Sequence, residues 1–449
     1  MTLRYLLLWG LSILLLLGCD RTAELPSDSS HHTLIKNVQL LDLSKLGKGI
    51  NDVRNAYVLI HGDEIATVGE WTDEVKIPQN CHIIDGHGKY LIPGLTDGFA
   101  AINNQAYCNA FLYMGVTSII SVDGGRRGPF FGDGKPSPDI YRLEGVGDEK
   151  ISTEKMVQQI DSLYEAGFKV LLLMYGLMPD QLAIALQKAE EYGMATIGEM
   201  GFTTYKEGMD MGIDAFVHTT RYSLDLAPRE MAKAVAEEPF SNDLDSPKWQ
   251  YYKFLTQLEK GYEPLIEHAK NLGKSNTFII PTSSLSYLDL PDHKNPWNET
   301  VASIIDIKDV NRPADPKTGN HSIDSVEQAA YSNLITNELS TIEPTYRQHG
   351  AKYLAASASD VWGTMPGISL HTELQLLTKK IGLTNREALA ASTNNYAQAY
   401  GWKSVKIAPG FVANLLLLDA NPIEDLENLR KINTLFLRGE IVDRAALLK

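Results

Sequence analysis

The chain has 449 residues, which is room for two or three ordinary domains or for one large domain with insertions. It carries 41 Lys and Arg against 56 Asp and Glu, and the net charge of −15 argues against a nucleic-acid-binding protein, which needs clustered positive charge. Hydrophobic residues make up 44% of the chain, which excludes wholesale disorder. Three Cys are too few for a disulfide framework, whereas 11 His are enough for a metal site.

Residues 1–19 are typical of a lipoprotein signal peptide. Arg4 supplies a positive charge, and the apolar run 6–17 that follows is shorter than the roughly 20 residues that a membrane-spanning helix needs. The run ends in Leu-Leu-Gly-Cys, which resembles the bacterial lipobox, in which the Cys carries acyl chains such as palmitate. We therefore expect lipidation at Cys19; a plain secretory signal or a short membrane anchor is the alternative.

The polar residues 20–33 follow this Cys. They contain Pro26 and several Ser and Thr, a composition typical of a flexible linker. We expect them to form a tether between the lipid anchor and the folded part of the protein. The predicted location is the bacterial cell envelope, with the protein facing the periplasm or the cell surface. The sequence leaves open which membrane holds the anchor.

Both ends of the remaining chain have the pattern of a small β-structure. Residues 34–92 and 403–449 contain short strand-like runs separated by Gly, Asp and Asn. The middle, residues 93–402, instead alternates apolar strands with helix-patterned stretches such as 152–166 and 179–192. Repeated strand–helix units over this length predict an α/β protein with a (β/α)₈ barrel.

Two features of the middle region refine this prediction. A doubly wound open sheet is the alternative, but no G-x-G-x-x-G turn follows the first strand. Residues 238–325 are less regular and rich in aromatic residues, Asp, Asn and Pro, so we expect insertions on the loop side of the barrel.

Three stretches carry recognisable motifs: residues 83–97 (IIDGHGKYLIPGLTD), 367–374 (GISLHTEL) and 408–415 (APGFVANL). Together they resemble the amidohydrolase superfamily, near its imidazolonepropionase and Xaa-Pro dipeptidase-like branch. The resemblance covers residues 34–449 and implies a distorted (β/α)₈ barrel, beside which both chain ends join in a small β-sandwich. It also implies one or two divalent metal ions at the carboxyl end of the barrel, where a metal lowers the pKa of bound water.

Several of the family's ligand positions hold residues that cannot bind a metal. The family has His-x-His after the motif that ends at Asp97, and here Gly98 and Ala100 are assigned to these positions. The lysine position falls on Leu172. Lys169 lies three residues earlier and would replace it only if the strand slipped, which also reverses the face of the side chain.

Three other positions keep polar side chains. Glu199 stands where the family has a histidine, while His218 and Asp360 match the family's histidine and its proton-transfer aspartate. His371 matches a loop histidine that is not generally a ligand. A binuclear centre is therefore not expected. A single zinc ion held by Glu199, His218 and Asp360 is chemically allowed, but we expect no metal cofactor.

By this resemblance the chain would hydrolyse carbon–nitrogen bonds in non-peptide or dipeptide-like small molecules. Glu199, His218 and Asp360 would then act as a one-metal or metal-free acid/base cluster. Arg126 and Arg127 lie on a glycine-rich loop and are candidates to bind a ligand's carboxylate or phosphate, or are surface charges. The alternative is a catalytically inactive barrel that binds a small molecule or a partner. The substrate and the oligomeric state stay open.

Overall fold

The computed structural model describes residues 32–122, 129–147, 149–241, 243–321, 323 and 325–449. Within them, two eight-stranded sheets form the scaffold. No helix in these ranges is long and apolar enough to cross a membrane.

The first sheet is built from both ends of the chain. Its strands are β1 (His32–Leu40), β2 (Val53–His61), β3 (Glu64–Glu70), β4 (His82–Asp85), β5 (Tyr90–Pro93), β14 (Leu415–Leu418), β15 (Ile432–Leu437) and β16 (Glu440–Val442). Their order is β16-β15-β14-β5-β1-β2-β3, with β4 paired to β1. The antiparallel pairing of β14 with β5 joins the C-terminal strands to the N-terminal ones.

The second sheet is parallel. Its strands follow one another in chain order: β6 (Leu95–Ala100), β7 (Val116–Val122), β8 (Asp139–Val146), β9 (Val170–Leu173), β10 (Ala195–Gly198), β11 (Ala215–Val217), β12 (Phe278–Ile280) and β13 (Lys352–Tyr353). The two ends of this sheet meet where the amide of Gly98 donates to the carbonyl of Ala355, at 3.2 Å. The predicted (β/α)₈ architecture is confirmed.

Helices connect the barrel strands and cover their outer faces. They are α2 (Gln105–Tyr113), α3 (Thr153–Glu165), α4 (Pro179–Tyr192), α5 (Tyr205–Met211), α6 (Thr219–Tyr222), α7 (Arg229–Glu237), α8 (Pro247–Thr256), α9 (Glu263–Lys274), α10 (Ser325–Asn337), α11 (Glu343–Gln348), α12 (Ile368–Leu376), α13 (Asn385–Ala391) and α14 (Asn394–Tyr400). The short turn α1 (Ser44–Gly47) lies outside the barrel, between β1 and β2 of the first sheet. Their local signals are strong: Ser152 caps α3, and Gly193 ends α4 in the left-handed conformation.

Side chains from alternate positions of the barrel strands fill the barrel interior. They form one buried apolar cluster, which includes Phe99, Leu172, Ile197, Val217 and Ile280. A second, larger cluster lies between the strands and the helices and includes Ala100. This division follows from the two-residue period of a strand, in which successive side chains point to opposite faces, and it decides which side chains face the barrel interior.

Two predicted boundaries need correction. His32 and Thr33 were assigned to the tether, but they already pair with His61 and Ile60 in the first sheet. Residues 238–325 were assigned to insertions, yet they contain α9 and the barrel strand β12. This strand has only three residues, too few for a period to be recognised in the sequence.

We expect Gly98→Ala to destabilise the protein by about 1–3 kcal/mol, the usual cost of overpacking a core. A Cβ at Gly98 would lie 1.8 Å from the hydroxyl oxygen of Tyr396, and that hydroxyl is held by the carbonyl of Ala355 at 2.7 Å. Gly261→Ala is the control because no atom lies within 4 Å of its added Cβ. Urea unfolding measures both variants, and equal stabilities would contradict the expectation.

Candidate functional site

The candidate site lies at the carboxyl ends of the barrel strands, where (β/α)₈ enzymes carry their catalytic groups. Glu199 follows the last residue of β10, and His218 follows the last residue of β11. These strands are neighbours in the parallel sheet, so the two side chains emerge side by side.

Glu199 and His218 form a close pair. The Oε1 atom of Glu199 lies 3.5 Å from Nε2 of His218. On the other side of the ring, Nδ1 of His218 lies 2.7 Å from the hydroxyl of Thr282, which itself donates to the carbonyl of Pro281 at 2.6 Å. Since that hydroxyl has a single hydrogen, Nδ1 is the donor to Thr282. The other ring nitrogen, Nε2, faces Glu199.

Two further groups hold Glu199 in its ionised form. The hydroxyl of Tyr175 donates to Oε2 at 3.2 Å, and Nε of Arg221 lies 3.8 Å from the same oxygen. Burial by itself would raise the pKa of Glu199, but the hydrogen bond and charge of His218, together with Arg221 and Tyr175, hold it below its ordinary value. The carboxylate is therefore ionised, and the neighbouring positive charge makes it a weaker base than an isolated glutamate.

Arg221 is a site residue that the sequence analysis missed. Its guanidinium stacks on the rings of Tyr175 and Phe240, at 5.1 and 5.8 Å from their centroids, and donates to the carbonyl of Pro239 at 3.3 Å. Its position three residues after His218, on the one-turn helix α6, is the only sequence signal for it. An arginine on a helical surface has the same local pattern.

The two positions assigned to the lost histidines, Gly98 and Ala100, lie on either side of Phe99. Phe99 faces the barrel interior, and its ring packs edge-on against His218 with centroids 5.2 Å apart. Ala100 packs outside the barrel. The register of β6 is irregular between Asp97 and Ala100, so the motif by itself does not reveal which side chains point inwards.

Leu172 keeps the interior position that was assigned to it. It pairs with Ile197 of β10 and is buried in the barrel cluster. Lys169 lies just before β9 and is exposed. A slip of the strand that would bring Lys169 into the site is therefore not observed.

Asp360 lies at the end of the segment that follows β13, and its contacts come from the opposite side of the barrel mouth. The hydroxyl of Tyr107 lies 2.5 Å from its Oδ2, and the side-chain amide of Asn103 donates to the same oxygen at 3.3 Å. Tyr107 also lies 2.7 Å from the carbonyl of Asp309. Neither Tyr107 nor Asn103 was recognised from the sequence, since each precedes Asp360 by more than 250 residues.

These residues do not fit a metal centre. Within the ranges that the structure describes, no three His, Cys, Asp or Glu side chains are grouped so as to hold a metal ion. The three-residue zinc site considered from the sequence is thus not assembled, because Glu199 and His218 face each other while Asp360 is bound by Tyr107 and Asn103. Phe99 and Leu172 present carbon atoms to the barrel interior.

Four other predicted positions complete the comparison with the sequence. His371 lies in helix α12 and not in a loop; it is buried and its Nε2 bonds the carbonyl of Met114 at 2.8 Å. Burial lowers its pKa to about 4, so it is a neutral core residue. Arg126 and Arg127, and the lipidation residue Cys19, lie outside the described residues.

Comparison with known proteins gives a short sequence match. An imidazolonepropionase from Klebsiella pneumoniae subsp. pneumoniae is 43% identical over 65 residues, which are 14% of this chain and 16% of that protein. The match thus spans about a sixth of the relative's length. No family model matches the chain.

Solved structures resemble the chain over most of its length. A bottromycin amidohydrolase has a TM-score of 0.65 at 16% identity and covers 94% of this chain and 88% of its own. A Xaa-Pro dipeptidase with bound methionine in its active site has a TM-score of 0.59 at 13% identity, covering 92% and 100%. A molinate hydrolase scores 0.59 at 14% identity, covering 93% and 96%. At these identities the likeness is one of fold.

We expect Glu373→Gln to flatten the pH dependence of stability. Glu373 accepts from the amide of Ser284 at 2.7 Å, and burial raises its pKa to about 8. A raised folded-state pKa adds stability below the ordinary pKa near 4.5, and this stability is lost as pH rises through 8, by up to about 1.4 kcal/mol per unit.

The measurement is the free energy of unfolding in urea at pH 5 and pH 8 for both proteins. Other buried carboxyl groups titrate in both proteins. The contribution of Glu373 is therefore the difference between the two proteins in how much the free energy of unfolding changes from pH 5 to pH 8. An equal change of the free energy of unfolding in the two proteins would refute the conclusion that the burial of Glu373 makes stability depend on pH.

Proposed function

The chain has the fold of the amidohydrolase superfamily, and we propose that it hydrolyses a carbon–nitrogen bond in a small molecule without a binuclear metal centre. The observation that carries this proposal is the pair of Glu199 and His218 at the mouth of the barrel, with 3.5 Å between Oε1 and Nε2. A carboxylate and an imidazole at this separation can exchange a proton and act as general base and general acid.

Each residue has a distinct role in this proposal. Glu199, kept ionised by its surroundings, takes the proton from an attacking water molecule. His218, held through Thr282, carries a proton toward the departing nitrogen. Asp360, bound by Tyr107 and Asn103, provides a second carboxyl group for proton transfer on the other side of the mouth.

A reaction without a metal ion, as proposed here, is limited in the bonds that it can break. Positioned proton transfer contributes about 10²–10⁴-fold to a rate, far less than unactivated amide hydrolysis requires. The substrate class that suits the site is therefore a small molecule with a good nitrogen leaving group. Arg126 and Arg127 remain candidates to bind an anionic group of that substrate.

A second function, binding without catalysis, is favoured by the apolar side chains in the barrel. Phe99 and Leu172 present carbon atoms to the barrel interior, and the guanidinium of Arg221 is stacked on aromatic rings beside Glu199. A barrel of this kind would bind a small molecule or a partner without catalysing a reaction.

Glu199→Gln is expected to lower kcat/KM by about 10²–10⁴-fold, the usual contribution of a positioned base. The assay is a panel of N-acyl p-nitroanilides, whose weakly basic amine is a good leaving group, and Glu191→Gln on the exposed side of α4 is the control. Ligand binding without turnover would favour the second function. Turnover that survives both Glu199→Gln and Asp360→Ala would contradict the proposed roles.

The metal content of the purified protein tests the same proposal independently of any substrate. We expect well below one equivalent of Zn, Mn, Fe or Ni by elemental analysis, because the described residues assemble no ligand group. Near-stoichiometric metal that is lost in His218→Ala would overturn the metal-free proposal.

The location belongs to the proposal as well. Residues 1–19 have the pattern of a lipoprotein signal, so the protein would be held to a bacterial envelope membrane by acyl chains on Cys19. Cys19→Ser is expected to abolish incorporation of an alkyne-labelled palmitate and to move the protein from the membrane fraction to the soluble one. Cys81→Ser is the control, and labelling that persists in Cys19→Ser would refute the anchor.

A further inference from the structure

A buried carboxyl group lies directly behind the candidate site. Glu343, the first residue of α11, has no exposed surface. Its Oε1 accepts from the hydroxyls of Tyr222 and Thr219, at 2.5 and 2.9 Å, and its Oε2 accepts from the hydroxyl of Tyr353 at 3.0 Å. Three donors from two other elements therefore converge on one side chain.

Two of these donors belong to α6, the one-turn helix beside the site. Its side chains point in two directions: Thr219 and Tyr222 reach back to Glu343, while Arg221 reaches forward to Glu199. His218 directly precedes the helix and also faces Glu199. The helix thus joins the buried carboxyl group to the catalytic pair.

A helix of one turn cannot hold this arrangement by itself. Four residues form few internal hydrogen bonds, and isolated short helices are unstable in water. In addition, His218 has a φ of 68°, a backbone conformation that residues other than glycine rarely adopt unless their surroundings impose it. The hydrogen bonds of Thr219 and Tyr222 to Glu343 are the side-chain contacts that immediately follow this strained residue.

The third donor connects the same carboxyl group to the barrel. Tyr353 is the last residue of β13, and Glu343 follows directly on the π-helical turn Glu338–Ile342. Such turns insert an extra residue and are frequent near functional sites. Here the irregular turn ends at the residue that ties α6 to the eighth barrel strand.

From these contacts we propose that Glu343 is a positioning residue, which acts through Thr219 and Tyr222 to hold His218 and Arg221 in place against Glu199. The inference rests on the proposed function for its catalytic consequence. Its structural consequence, the order of α6, is measurable without any substrate.

The test compares three variants of the full chain by hydrogen exchange. Glu343→Met keeps the side-chain length but removes both acceptor oxygens, and the amides of residues 221–223 are expected to exchange roughly tenfold faster. Glu343→Gln keeps one oxygen for Tyr222 and Thr219, so it is expected to restore slow exchange. Glu338→Met is the matched control, since Glu338 is equally buried and its Oε1 has no hydrogen-bond partner among the described residues.

The kinetic counterpart is a fall in kcat with KM unchanged in Glu343→Met, with recovery in Glu343→Gln. Unchanged exchange in Glu343→Met, or equal changes in Glu343→Met and Glu338→Met, would overturn the inference. If Glu343→Met does not fold, Tyr222→Phe replaces it, because it removes one donor and leaves the carboxyl group. Faster exchange in a protein that hydrolyses no substrate would overturn the proposed function and keep the positioning role.

Discussion

Closure of the barrel depends on one close approach, between the backbone of Gly98 and the segment after β13. Only a residue without a Cβ fits there, since Tyr396 occupies the space beside it. The contact brings the first and eighth strands together, and the carboxyl ends of all eight strands then form one ring. Phe99 lies on the first barrel strand and meets His218, which follows the sixth, because this ring is closed.

The site combines a charged pair with the apolar side chains of Phe99 and Leu172 in the barrel interior. The Glu199 carboxylate lies beside His218 and Arg221, so its burial does not force it to take up a proton. Behind it, Glu343 accepts hydrogen bonds from three hydroxyl groups. Glu199 and its neighbours thus carry the charge of the site, and Glu343 holds the helix α6 that follows His218.

Much of the fold was predictable because its signals are local. The helix expected over 179–192 forms at those residues, with Pro179 in its first turn and Gly193 at its end, and the strand that carries Leu172 forms where its apolar run lies. The positions of Glu199, His218 and Asp360 followed from the resemblance. The predictions failed where the signal is not local: β12 is too short to show a period, and the inward face of β6 depends on the register with its neighbours.

The sequence by itself determined the (β/α)₈ architecture and the strand-rich character of both chain ends, because strand and helix periods depend on neighbouring residues. That the two ends join in one domain was implied by the family resemblance. The tertiary structure alone decided that Phe99 faces His218, that Arg221 and Tyr175 reach Glu199, that Tyr107 meets Asp360 and that Glu343 lies behind α6. These contacts join residues from different strands and helices. Their distances are set by barrel closure and packing, which no local pattern encodes.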